Sequence, residues 1–173
     1  MTGMNRRAFL ETTAALNAFA KSALPLPEDI TSAHPAPVHP VIDTHTHFYD
    51  TRRPGGVPWP SKKEPVLYRP ILPAEFRKLS LPFGITGTIE VEASPLLEDN
   101  QWVLDLAARN PIIVGTAGDL EPGNVGFRAN LERFHRNRLF CGIRIGDLWG
   151  RSLAAGLESQ QYIADLKALA EAG

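Results

Sequence analysis

Val41-Ile42-Asp43-Thr44-His45-Thr46-His47-Phe48 begins as a β-type run and turns polar at its end, and it heads an alternation that repeats along the chain. A polar, proline-rich loop from Tyr49 to about Pro73 follows, then a helical stretch from Ala74 to Leu81. Gly87 to Ala93 is a second β-branched run. Behind it, Leu97 to Asn110 reads as a helix that buries Val103, Leu106 and Ala107 and stops at Pro111. Ile112 to Ala117 is nearly continuous in apolar character, as parallel strands covered on both faces are. The next helical stretch, Val125 to Asn137, carries Phe127, Leu131 and Phe134 at i, i+4 and i+7. Phe140-Cys141-Gly142-Ile143-Arg144-Ile145 makes a fourth strand, and Gln160 to Ala172 a last helix with Ile163, Leu166, Leu169 and Ala170 on one stripe.

Four strands, each followed by a helix, predict an α/β fold with a parallel sheet. A complete eightfold barrel takes about 250 residues. The expected architecture is therefore a partial (β/α)8 TIM barrel of about the first four βα units, with a small, complete, open four-stranded sheet as its rival. No glycine-rich turn follows the first strand, so nothing favours a nucleotide.

The chain has 173 residues, 43% of them hydrophobic, and 18 Lys and Arg against 19 Asp and Glu. That composition excludes general disorder, and a balanced charge without a basic stripe gives nucleic acid no support as a partner. No run approaches the roughly 18 apolar residues of a spanning helix, so no membrane partner is expected. The single cysteine, Cys141, can form neither an internal disulfide nor a thiolate cluster, and is expected to be buried and inert. At the N-terminus, Asn5-Arg6-Arg7-Ala8-Phe9-Leu10-Glu11 and the apolar stretch behind it resemble a twin-arginine export signal. The domain reading is a signal segment over 1–23, a proline-rich linker over 24–40 and the barrel half over 41–173. The resemblance implies export to the periplasm; the alternative is an amphipathic N-terminal helix of a cytoplasmic protein.

The chemistry lies at the end of the first strand. A strand period of two puts Asp43, His45 and His47 on one face, with Ile42, Thr44 and Thr46 on the other. Two imidazoles spaced in this way can reach one divalent ion such as zinc, or hydrogen-bond a substrate without a metal. Burying such a face without purpose is costly.

Asp43-Thr44-His45-Thr46-His47-Phe48-Tyr49-Asp50 resembles the opening motif of the amidohydrolase-related TIM-barrel hydrolases, in the branch of sugar-acid and dicarboxylate lactonases. Further matches are Arg53 to Pro60, Glu90 to Pro95 with Glu98-Asp99-Asn100 after it, and Gly142-Ile143-Arg144. The resemblance implies that His45 and His47 line the active site, as metal ligands in members that bind a divalent ion and as substrate contacts in members that do not. It also implies a small-molecule substrate. Arg144, at the end of the fourth strand, is placed either to hold a substrate carboxylate or carbonyl oxygen bidentately or to pair with Glu90 or Glu92 across the strands. Glu92 is either a catalytic polar contact or a paired carboxylate. The long loop carrying Arg52, Arg53, Trp59, Tyr68 and Arg69 resembles a lid, in which Trp59 and Tyr68 either face the pocket or anchor the loop. His135, on the third helix, is expected at the surface.

Family members place further histidines after the fifth and sixth strands and an aspartate after the eighth, none of which this sequence contains. The chain is therefore expected to be the inactive N-terminal half of a hydrolase acting on a lactone or a related ester or amide. The alternatives are a decarboxylase on the same barrel and a non-catalytic half-barrel that self-associates through its open edges.

Overall fold

The computed structural model describes residues 39–173, so the expected signal segment and all but the last two residues of the expected linker lie outside the described residues. Four parallel strands follow one another in the order β1-β2-β3-β4: β1 (Val41–Thr46), β2 (Ile85–Val91), β3 (Ile113–Gly118) and β4 (Phe140–Ile143). Between them run α1 (Pro73–Ser80), α2 (Leu97–Arg109) and α3 (Phe127–His135), and after β4 come the short α4 (Leu153–Leu157) and α5 (Gln160–Ala172). Pro73 starts α1, where a missing N–H costs nothing, and Pro111 follows α2, where it prevents continuation. The α/β alternation expected from sequence is the architecture observed; α4 is an addition that its five residues were too few to announce.

The two faces of the sheet differ. Glu90 pairs with Thr116, and Thr116 with Phe140, so these residues share a face, and all three are buried under the helices. Phe140 stacks on Phe134 with ring centroids 5.5 Å apart, in a cluster with Leu104, Leu120, Phe127 and Leu131. A second cluster joins Phe48, Ala107, Ile112 and Ile113, with Phe76 of α1 and Trp102 of α2 packed against it. The periodicity read for α3 holds in full, and α2 buries Val103 and Ala107 together with Leu104 and Asn100.

On the other face, the position of a Cβ at Gly87 would meet Ile42 and Val114, and one at Gly115 would meet Cys141 and Ile89. No layer covers this face among the described residues, and Val114 is 43% exposed. Cys141 lies here and is exposed, which corrects the expectation of a buried thiol: the strand pattern that promises burial needs a second layer to deliver it.

An irregularity in the β1 ladder corrects a second expectation. Asp43 pairs with Thr88 and Thr46 with Glu90, three residues on β1 against two on β2. Asp43 and Thr46 thus both fall on the helix-covered side, where the Thr46 and Thr88 hydroxyls lie 2.8 Å apart. One extra residue inverts the alternation and separates Asp43 from the two histidines. The α5 stripe is also only partly right. Leu169 reaches the core and Ala170 is exposed, while the fully buried residue is Asp165, which accepts from the Gly123 N–H, Arg128 and Gln161.

Asn100 stitches α2 to the end of β3. Its side chain accepts from the Asp119 N–H at 2.8 Å and donates to the Asp119 carbonyl at 2.9 Å and to the Leu97 carbonyl at 3.0 Å. Gly118 leaves room for this clamp, since a Cβ there would collide with Asn100 and Phe140. Removing the clamp leaves the Asp119 N–H buried without an acceptor. Asn100→Ala is expected to cost about 2 kcal/mol in chemical denaturation; a midpoint equal to that of the parent would show that the clamp contributes nothing.

Candidate active site

The residues singled out from sequence come together at the C-terminal ends of the strands. His47 directly follows β1 and is half-buried. Its Nδ1 lies 2.7 Å from the Val91 carbonyl oxygen at the end of β2. A carbonyl only accepts, so Nδ1 carries the proton and Nε2 keeps its lone pair. Burial lowers the His47 pKa; the Val91 bond opposes that shift, and the charges of His45 and Arg144 reinforce it. The ring is neutral at neutral pH. His45 sets its own ring edge-on to His47, with centroids 5.0 Å apart, and stands exposed on the open side of the pair.

Glu92 lies just past β2 and is buried. It accepts from the Ser94 N–H at 3.0 Å and from the Trp149 indole N–H at 3.1 Å, and Arg144 Nη1 stands 3.6 Å from its other oxygen. Burial and then the charge of Asp119 raise the Glu92 pKa, against the lowering effect of Trp149, Ser94 and Arg144. Arg144 extends the β4 ladder through its N–H to the Gly118 carbonyl. Of its two sequence-stated partners it faces Glu92, whereas Glu90 is 1% exposed and points under the helices. The pairing is loose enough to leave the guanidinium donors free for an oxygen-bearing ligand.

A cleft of about 410 Å³ collects His47, Trp59, Glu92, Ala93, Arg144, Asp147, Leu148 and Trp149. The long loop reaches it through Trp59 alone of the five loop residues named from sequence. Trp59 packs edge-on against both His47 and Tyr49, so it is at once pocket wall and packing anchor. Arg53 anchors the loop from below, pairing with Asp99 at 2.5 Å and lying over the Trp102 ring. Arg52 and Arg69 pair with Asp50 and Glu75 and do not line the cleft, nor does Tyr68. His135 is exposed on α3, as expected.

Trp149, Arg151 and Asp119 were not read from sequence, nor were Asp147 and Leu148 of the cleft. Trp149 adopts φ 57°, a left-handed conformation uncommon outside glycine, and Gly150 continues the turn at φ 78°. The turn aims the indole N–H at Glu92. Arg151 holds the turn down by donating to both oxygens of the buried Asp119, at 2.5 and 2.9 Å, with its Nε 3.2 Å from Glu121. A tryptophan beside a glycine in a loop leaving a strand end was the signal available for this turn. Arg151→Ala strands the Asp119 carboxylate, and is expected to destabilise by about 2 kcal/mol. It should also raise iodide quenching of tryptophan as Trp149 comes loose; unaltered quenching would separate Arg151 from the placement of Trp149.

The donor set bears on metal binding. Metal-bound histidines donate their second ring nitrogen to a carbonyl or carboxylate, as His47 does to Val91. The two imidazoles fit two positions of a zinc-type set, but no group of three or more His, Cys, Asp or Glu converges among the described residues.

Four βα units with a polar cleft at the strand ends form part of a (β/α)8 barrel, and the chain belongs to the Amidohydrolase family, whose profile matches residues 42–167. An L-fucono-1,5-lactonase of Burkholderia ambifaria is 28% identical over 103 residues, which are 60% of this chain and 35% of that one. Crystal structures of an amidohydrolase from Burkholderia multivorans, one with bound zinc and one with bound HEPES, superpose at a TM-score of 0.66 and 21% identity, covering 76% of this chain and 45% of that one. A probable 2-pyrone-4,6-dicarboxylic acid hydrolase of Acinetobacter baumannii, with citric acid bound, gives a TM-score of 0.57 at 18% identity, over 78% of this chain and 47% of that one. The chain thus spans between 35% and 47% of the length of these relatives.

Proposed function

We propose that this chain supplies one wall of the active site of a lactone hydrolase, or of a hydrolase of a closely related carboxylic ester or amide. The observation that carries the reading is the convergence of a neutral His47, an incompletely paired Arg144 and the buried Glu92 on one cleft at the strand ends. Arg144 holds the substrate carboxylate or carbonyl oxygen, and Glu92, itself fixed by Trp149 and Ser94, orients that guanidinium. His45 and His47 either hold a divalent ion such as zinc or hydrogen-bond the substrate directly. When bound, such an ion polarises the carbonyl and makes its water more acidic. Glu92 is engaged on both oxygens, which leaves Asp147, whose Oδ1 accepts from the Leu153 N–H, as the other carboxylate of the cleft among the described residues. The complete activity belongs to the closed barrel.

Acid release from a panel of aldonic and unsaturated lactones tests this reading in any eight-stranded assembly that contains the chain. His47→Ala and Arg144→Ala are each expected to lower turnover by about 10²-fold. Full turnover in both variants would remove the pair from the mechanism.

A second reading draws on the bare sheet face. β1 and β4 each lack a partner on one side among the described residues, and Ile42, Ile89, Val114 and Cys141 lie uncovered between them. We propose that two copies of the chain cover these faces mutually. Light scattering on the purified 173-residue chain should then return twice the 19.0 kDa of one copy; a well-folded monomer at micromolar concentration would contradict it.

A further inference from the structure

Beneath the helix layer, behind the cleft, lies a second and much smaller cavity. It holds about 20 Å³ and is bounded by Phe48, Glu90, Thr116 and Gly118 below, by α2 at the side, and by Arg53 and Trp59 of the long loop above. Two buried oxygens here find no partner among the described residues: Glu90 Oε1 and Thr116 Oγ1. Their residues are paired neighbours on β2 and β3, each about 1% exposed, so the two side chains stand side by side on one face. A buried oxygen without a hydrogen bond costs roughly 1–3 kcal/mol, and two facing one cavity call for a common partner. The volume is that of a single water, which needs about 10–15 Å³ and two or more polar contacts.

We propose that this cavity is a binding site for one water molecule, which bridges Glu90 Oε1 of β2 and Thr116 Oγ1 of β3. The Thr116 hydroxyl donates to the water, and the water donates to the Glu90 carboxyl. The carboxyl meets the Phe48 N–H as well. Glu92, Trp59 and Ala93 line both this cavity and the cleft, so the water sits directly behind the candidate active site. Nothing in this assignment depends on the hydrolase reading.

The electrostatics agree with an un-ionised Glu90. Burial, then the charges of Glu92 just past the same strand and of Asp99 on α2, push its pKa up to about 8, against the Phe48 bond. Arg53 is the cation on the cavity wall, and it is committed to Asp99; β3 offers only the neutral Thr116 and Gly118. The folded state therefore keeps a proton that the unfolded chain releases from about 4.5 upward. The resulting stabilisation is complete below that pH and is lost as the pH climbs to about 8.

Oxygen-17 relaxation dispersion on the full chain counts long-lived internal waters. The parent and Thr116→Ser should show one more than Thr116→Val, and a high-resolution crystal structure should place it within hydrogen-bond distance of both oxygens. Melting temperatures of the parent and Glu90→Gln across pH 5 to 8 give a second readout: the parent is expected to lose ground steadily to the variant as pH rises. An equal count in Thr116→Val or a dry cavity would overturn the assignment, and a parent–variant difference that does not change with pH would overturn the un-ionised Glu90.

Discussion

The hydrogen bond from His47 to the Val91 carbonyl is small, but the site is organised around it. It joins the ends of two neighbouring strands, fixes which ring nitrogen is protonated and turns the other toward the cleft. Once that ring is set, Trp59 has a surface to pack on, and the long loop has a place to come to rest. Parallel pairing does the remaining work. Because β1 to β4 run the same way in chain order, whatever follows each strand is delivered to one end of the sheet. His47, Glu92 and Arg144 are far apart in sequence, and they meet because each sits just beyond a strand.

The sheet divides its faces by chemistry as well as by cover. The helix-covered side is not purely apolar; it carries Thr88, Glu90 and Thr116, all nearly inaccessible, alongside Phe140. Polar side chains in such a position have to satisfy one another or trap solvent, and the Thr46–Thr88 hydroxyl pair shows the first of these solutions. The opposite face is the simpler surface, small and aliphatic, with glycines at 87 and 115 that let neighbouring side chains lean across the strands.

Much of this was legible beforehand, for physical reasons that differ from part to part. The four strands and the helix between β3 and β4 announce themselves because Ile112 to Ala117 is continuously apolar and Phe127, Leu131 and Phe134 repeat at helical spacing. The histidine pair is legible because a period of two is short-range. Asp43 was misplaced for the same reason, since an irregularity in pairing with β2 leaves no trace in local alternation. Asp119 and Arg151 were invisible, and Trp149 was signalled only by the glycine after it, because their roles come from a turn with left-handed residues and from an ion pair spanning 32 positions. Asp165 hid inside an apparently apolar helix, because a buried charge with three donors looks in sequence like any surface carboxylate.

Cys141 converts the bareness of the inner sheet face into chemistry. A thiol flush with that face, beside Gly115 and Ile89, meets any alkylating reagent as freely as solvent does while the surface is open. Anything laid over the strands, whether more of the same barrel or another copy, shuts the reagent out. The rate at which this one sulfur is capped is therefore a gauge of whether the barrel is closed, built into the fourth strand.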